Sequence, residues 1–137
     1  MREIKFRVWD KKNKKMVTII ALYFFEGKSL EQISIDTDEG ERQLIDIKNV
    51  EIMQYTGHKD KNGKEVYEGD ILYEIEDDDI YIYIVVWDEE TASFGLKTPS
   101  GWEYDFYYFI GDKQAFKLVG NIYENPELLG GGINDST

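Results

Sequence analysis

The sequence predicts a mainly β protein, a β-rich α+β fold of antiparallel sheets joined by turns and short helical turns. Three observations carry this. Side chains alternate between two faces with a period of two over several runs, clearest at residues 3–9, 71–75 and 80–87. Turns rich in glycine, asparagine and aspartate separate these runs at short intervals. No stretch sustains a helical period. With 137 residues, 42% of them hydrophobic and 15% aromatic, the chain is long enough to bury a core as one domain.

The elements follow in order. Ile4, Phe6 and Val8 share one face of a half-buried strand, with Lys5, Arg7 and Trp9 on the other. Residues 10–15 are polar, and Asn13 marks a turn. Residues 16–25 are apolar and β-prone, so the two runs predict a hairpin. Ser29 and Gln32 have capping-box spacing, whereas residues 33–36 alternate like a strand. These signals conflict, and predict one helical turn at most, or a strand. Residues 36–41 read as a turn and 42–47 as a weak strand. Residues 50–55 form the next strand, followed by a long ordered connection at 56–65 with Gly57 and Gly63. Tyr67, Glu68, Gly69 and Asp70 make a tight turn into a strand at 71–75. Its faces are Ile71, Tyr73, Ile75 and Leu72, Glu74.

Residues 80–87 are the strongest strand. Ile80, Ile82, Ile84 and Val86 line one face; Tyr81, Tyr83, Val85 and Trp87 line the other. Both faces are apolar, so each needs cover or a partner. The acids at 77–79 and 88–90 act as charge gatekeepers against edge-to-edge aggregation. A short strand at 91–97, a turn at 98–101 and an aromatic run at 102–110 follow. Residues 115–123 are the last strand. Asn125 and Pro126 occupy the N-cap and first position of a short helical turn that ends before Gly130. The long loop and Gly-Asp turn feeding an apolar strand predict a small SH3-like barrel-type C-terminal portion.

Two segments, MQYTGHKDKNGKEVYEGDIL at 53–72 and KLVGNIYENPELL at 117–129, resemble in order the YopX-like proteins of phages and prophages. The opening REIKFRVWDKKNKKM fits the same pattern, so the resemblance spans about residues 2–129. It implies one YopX-like domain over 1–129, with an N-terminal β region at 1–49 and a barrel-like β region at 50–129. Residues 130–137 are expected to be a flexible tail. The resemblance implies a phage or prophage origin and brings no biochemical activity with it.

Charge and composition exclude several function classes. The formal net charge is −12, which argues against direct nucleic-acid binding because phosphates would be repelled. Residues 1–15 hold seven basic against two acidic side chains, so the remaining 122 residues carry −17. There is no cysteine, which removes disulfides, thiolate metal sites and cysteine nucleophiles. The start of the chain has no long apolar run, and residues 80–87 are too few to span a bilayer as a helix. A cytoplasmic location in a bacterial host cell is expected, with no membrane contact.

No side chains announce chemistry. The single histidine, His58, specifies no Ser–His–acid set and reads as exposed and idle. Asp60, Asn62 and Gly63 look like part of a calcium loop but lack the spaced oxygen ligands and the terminal glutamate. Glu68 with Asp70, or the aspartates at 77–79, would need a cleft to act as paired carboxylates. No phosphate-binding glycine pattern is present. The expectation is therefore a protein that is not an enzyme, with no catalytic residue, cofactor or metal site.

Candidate protein-contact residues are the aromatics Tyr81, Tyr83, Trp87, Trp102, Tyr104, Tyr107 and Tyr108. Tyr and Trp favour interfaces; core packing is the competing reading, and base stacking is disfavoured by the surrounding acids. Lys11, Lys12, Lys14 and Lys15 form a candidate basic arm. The leading expectation is a module that binds a protein partner, of host or phage, or itself as a homo-oligomer. In the latter case the basic arm would meet the acidic segment at 74–90 head to tail. The alternative is an acidic nucleic-acid mimic that blocks a host DNA-binding protein.

Overall fold

The computed structural model describes residues 2–37 and 39–130. The expected tail at 130–137 falls outside them beyond Gly130. The architecture is mainly β, with antiparallel pairing throughout and a few short helices. The chain forms two compact units, residues 5–54 and residues 55–130 with 2–4. The division falls within strand β6 (Val50–Lys59).

In the N-terminal unit, β1 (Phe6–Asp10) pairs with β2 (Lys15–Val17) on one side and with residues 50–54 of β6 on the other. A second sheet holds β3 (Ile19–Phe25), β4 (Ser29–Asp36) and β5 (Arg42–Asp46) in that order. The apolar run expected as one strand at 16–25 is thus two. The backbone leaves one sheet at Thr18, whose carbonyl accepts the Asp36 N–H at 3.2 Å, and enters the other. The break lets Val17 and Ile19 both pack on one core with Val8, Ile33, Ile35 and Val50. The capping-box signal at Ser29 loses to this core. Ile33 and Ile35 are buried between two strand neighbours, and the Ser29 hydroxyl donates to Glu31 instead of capping a backbone N–H.

In the C-terminal unit, β8 (Asp70–Glu76), β9 (Asp79–Asp88), β10 (Ser93–Lys97), β11 (Glu103–Asp105) and β12 (Phe116–Asn121) form a half-barrel sheet in the order β11-β10-β9-β8-β12. The one-turn helix α1 (Tyr107–Ile110) follows β11 and drops Phe109 into the core beside Phe116, Leu72, Val85 and Leu96. The Asp105 carboxylate accepts the Tyr107 N–H at 2.8 Å and so launches the helix. The connection at 56–65 is not a free loop: β6 continues to Lys59 and pairs with β7 (Glu65–Tyr67). The register shifts across Gly57, whose φ of 88° suits glycine alone among common residues. Thr56 stitches the irregularity by donating to the Val66 carbonyl and accepting the His58 N–H.

After β12 the chain turns on Asn121, whose side-chain oxygen accepts the N–H groups of Tyr123 and Glu124. The Asn125 side chain folds back to accept the Asn121 N–H, and a 3-10 helix at Pro126–Gly130 half-buries Leu128 and Leu129. Gly120 lies under Asn125, so an added Cβ would sit 2.8 Å from its Cγ. Gly120→Ala is expected to destabilise by about 1–3 kcal/mol, the usual range for overpacking. An unchanged urea midpoint would show that Asn125 moves aside freely.

Candidate functional site

The candidate aromatics sort into core and surface. Tyr83 is buried and Tyr81 half-buried, both on the core face of β9. Trp87, Tyr104 and Tyr108 are 44, 44 and 42% exposed, and Trp102 and Tyr107 reach 66 and 72%. The structure brings three of them together: the Tyr104 ring lies 5.7 Å from Tyr83 and 5.5 Å from Tyr108, and Tyr83 lies 5.8 Å from Tyr108. Trp87 stands apart, edge-on to Phe94 at 5.2 Å.

A carboxylate that the sequence places on a strand face with Leu72 and in the acidic segment, without a site role, organises this cluster. Glu74 is buried on the face of β8 that it shares with Leu72, while Ile75 is exposed. Tyr108 donates to both Glu74 oxygens at 2.9 Å, and Tyr83 donates to Oε1 at 3.2 Å. The signal available in the sequence was the alternation itself, which puts Glu74 in phase with Leu72. Burial, and then the neighbouring Tyr108 and Glu74, push the Tyr83 hydroxyl well above the ordinary tyrosine range. Burial and the Glu74 carboxylate raise Tyr108 as well.

Raised tyrosines have a stability consequence. Their neutral forms are favoured in the folded state, so their contribution is complete below pH 10 and declines as pH rises above it. Tyr83 alone should lower the folding constant about tenfold per pH unit above 10. Urea midpoints measured from pH 8 upward should fall steeply past pH 10, and less steeply in Tyr83→Phe. Identical slopes would contradict the arrangement.

Other carboxylates serve the fold. Asp60 is 5% exposed; its Oδ1 accepts the Asn62 and Lys64 N–H groups at 2.9 Å and its Oδ2 accepts the Leu118 N–H at 2.7 Å. The segment that looked like part of a calcium loop is thus a turn pinned to β12. Asp70 is buried and accepts the Tyr67 N–H at 2.7 Å. Asp77, in the left-handed region at φ 54°, forms the exposed β8–β9 turn with Asp78. Among the described residues no group of three His, Asp or Glu could hold a metal ion. His58 is not an exposed loop residue: it lies on β6, half-buried, with its ring 6.1 Å from Phe106. Burial, then the Lys113 charge, lower its pKa.

In the N-terminal unit the basic arm is a tight hairpin built on buried Asp10. Its carboxylate accepts the backbone N–H groups of Lys12 and Asn13 and the Asn13 side chain. These bonds outweigh the opposing effect of burial and lower the Asp10 pKa. Lys11 donates to the Lys48 carbonyl and pairs with Glu51 at 3.2 Å. That pair is half-exposed and so contributes little, about 0–1 kcal/mol. Lys12 and Lys14 are exposed, and Lys15 starts β2.

The family model for the YopX protein matches residues 5–130. The chain belongs to the YopX protein family. Among solved structures, the YopX-family chain is similar to protein EF1440 from Enterococcus faecalis. That match has a TM-score of 0.67 and 26% identity, covering 94% of this chain and 99% of that one. No curated protein matches it. Among the described residues, no helix of this YopX-family protein is long and apolar enough to cross a membrane.

Proposed function

We infer that this YopX-family protein is a phage- or prophage-encoded, non-enzymatic module of the bacterial cytoplasm that works through protein contacts. The observation that carries the reading is the exposure of Trp87, Trp102, Tyr104, Tyr107 and Tyr108 on one unit of the fold. Large aromatics left in water supply contact area at low entropic cost and dominate interface energetics. Trp87 and Tyr104 line a cleft of about 420 Å³ together with Asp88, Glu89, Glu90 and Glu103. Its four acids outnumber the one base in the lining, Lys97, which favours a partner surface bearing lysine or arginine, with charge setting partner choice and the aromatics supplying the buried area.

A second reading is an acidic nucleic-acid mimic that occupies a host DNA-binding protein. One observation favours it: the N-terminal unit has balanced charge, so the full −12 belongs to the remaining residues. Affinity capture from host lysate across a salt series separates the two. Capture that survives high salt supports the aromatic interface, because apolar burial is not screened. Capture of a DNA-binding protein that is lost at moderate salt supports the mimic. Absence of any captured protein at low salt contradicts the mimic and leaves the first reading with self-contact alone.

A further inference from the structure

Each of the three sheets ends in two edge strands whose outer sides meet no other strand among the described residues. Such edges are templates for pairing with another chain, and proteins commonly blunt them with charge. Five of the six are blunted. β2 holds Lys15, β5 holds Arg42 and Asp46, β7 holds Glu65, β11 holds Glu103 and Asp105, and β12 holds Lys117. β3 is the exception. Its sequence IIALYFF has no charge, and at seven residues it is the longest of the six. Over residues 21–25 its pairing with β4 skips a residue on β4 only, so no extra residue interrupts β3 itself there. Tyr23, Phe24 and Phe25 are 48, 54 and 63% exposed.

We propose that β3 pairs antiparallel with β3 of a second copy of this chain, joining two three-stranded sheets into one six-stranded sheet. The inference rests on the self-contact expected of a protein-interaction module and gives it a surface separate from the aromatic cleft. Two features favour a second copy. Residues 5–54 hold nine basic and nine acidic side chains, so two N-terminal units approach without net repulsion. The joined sheet also ends in β5 on both sides, where Arg42 and Asp46 blunt the edge. An isologous contact of this kind closes at two copies instead of running on into filaments. A buried aromatic side chain contributes about 150–250 Å², so the three half-exposed rings offer on the order of 300 Å² per copy. That is below the roughly 800 Å² per partner of a standard interface, so the dimer forms and dissociates with concentration.

Sedimentation velocity on the full chain, over a wide concentration range at low and high salt, tests this. The expected result is a monomer–dimer equilibrium, with nothing larger, that persists at high salt. The double variant Tyr23→Lys with Phe24→Lys should be monomeric throughout, whereas Phe24→Leu should still dimerise. Hydrogen exchange of the unaltered chain gives a readout that does not depend on variants folding: amides in 21–25 should gain protection as concentration rises. A monomer under all conditions overturns the proposal and leaves the aromatic contact standing. A dimer unmoved by the lysine variants, or without added protection in 21–25, overturns β3 as the surface while self-association survives.

Discussion

Asp60→Ala is expected to remove about 3 kcal/mol of stability and to lower the melting temperature by roughly 10 °C. The substitution deletes an acceptor for three backbone N–H groups, two in the β6–β7 turn and one on Leu118 of β12. Hydrogen bonds to a charged acceptor contribute about 1.5–3 kcal/mol each, and a buried donor left unpaired adds its own desolvation cost. Asp60 is nearly inaccessible, so water cannot freely replace the carboxylate. Asp60→Asn should be milder, since one side-chain oxygen still accepts while the amide nitrogen faces a donor. Urea denaturation measures both, and a loss below about 1 kcal/mol for the alanine variant would contradict the role given to Asp60.

Phe109→Ala and Phe116→Ala should each cost about 3–5 kcal/mol, whereas Tyr107→Ala should fall within about 0.5 kcal/mol of the parent chain. Phe109 and Phe116 are fully buried and meet edge-on, their rings 5.3 Å apart. Truncating either leaves a cavity between α1 and the half-barrel sheet in addition to the lost transfer energy. Tyr107, two residues from Phe109, is 72% exposed and has little to lose on truncation. A domain of this size has about 5–15 kcal/mol in total, so either phenylalanine change consumes a large share of it. Equal costs for positions 107 and 109 would show that the aromatic run is not divided into core and surface as described.

Much of this fold was legible because its strands obey the period of two. The alternation at 80–87 marks β9, and the polar turn around Asn13 marks the first hairpin. What could not be read came from contacts distant in sequence. Nothing near Thr18 tells that the apolar run divides between two sheets; the reason is Asp36, 18 residues on. The continuation of β6 past Gly57 depends on Val66, which receives the Thr56 hydroxyl. The site was legible only in composition. The sequence named seven aromatics, yet which face water follows from α1: it turns Phe109 inward, leaves Tyr107 outside and holds Tyr108 on the Glu74 carboxylate. The role of Glu74 was hidden, because a carboxylate in the middle of a strand is ordinarily solvated and its tyrosine partners lie nine and 34 residues away.

The exposed aromatics of the C-terminal unit are expected to meet another protein. Site-specific photo-crosslinking in cells decides this, with a benzoylphenylalanine placed in turn at Trp102, at Tyr107 and at the exposed Lys28 of the N-terminal unit. The same discrete crosslinked protein is expected from positions 102 and 107, and none of that species from position 28. No discrete product from 102 or 107, or the same products from all three positions, would contradict it.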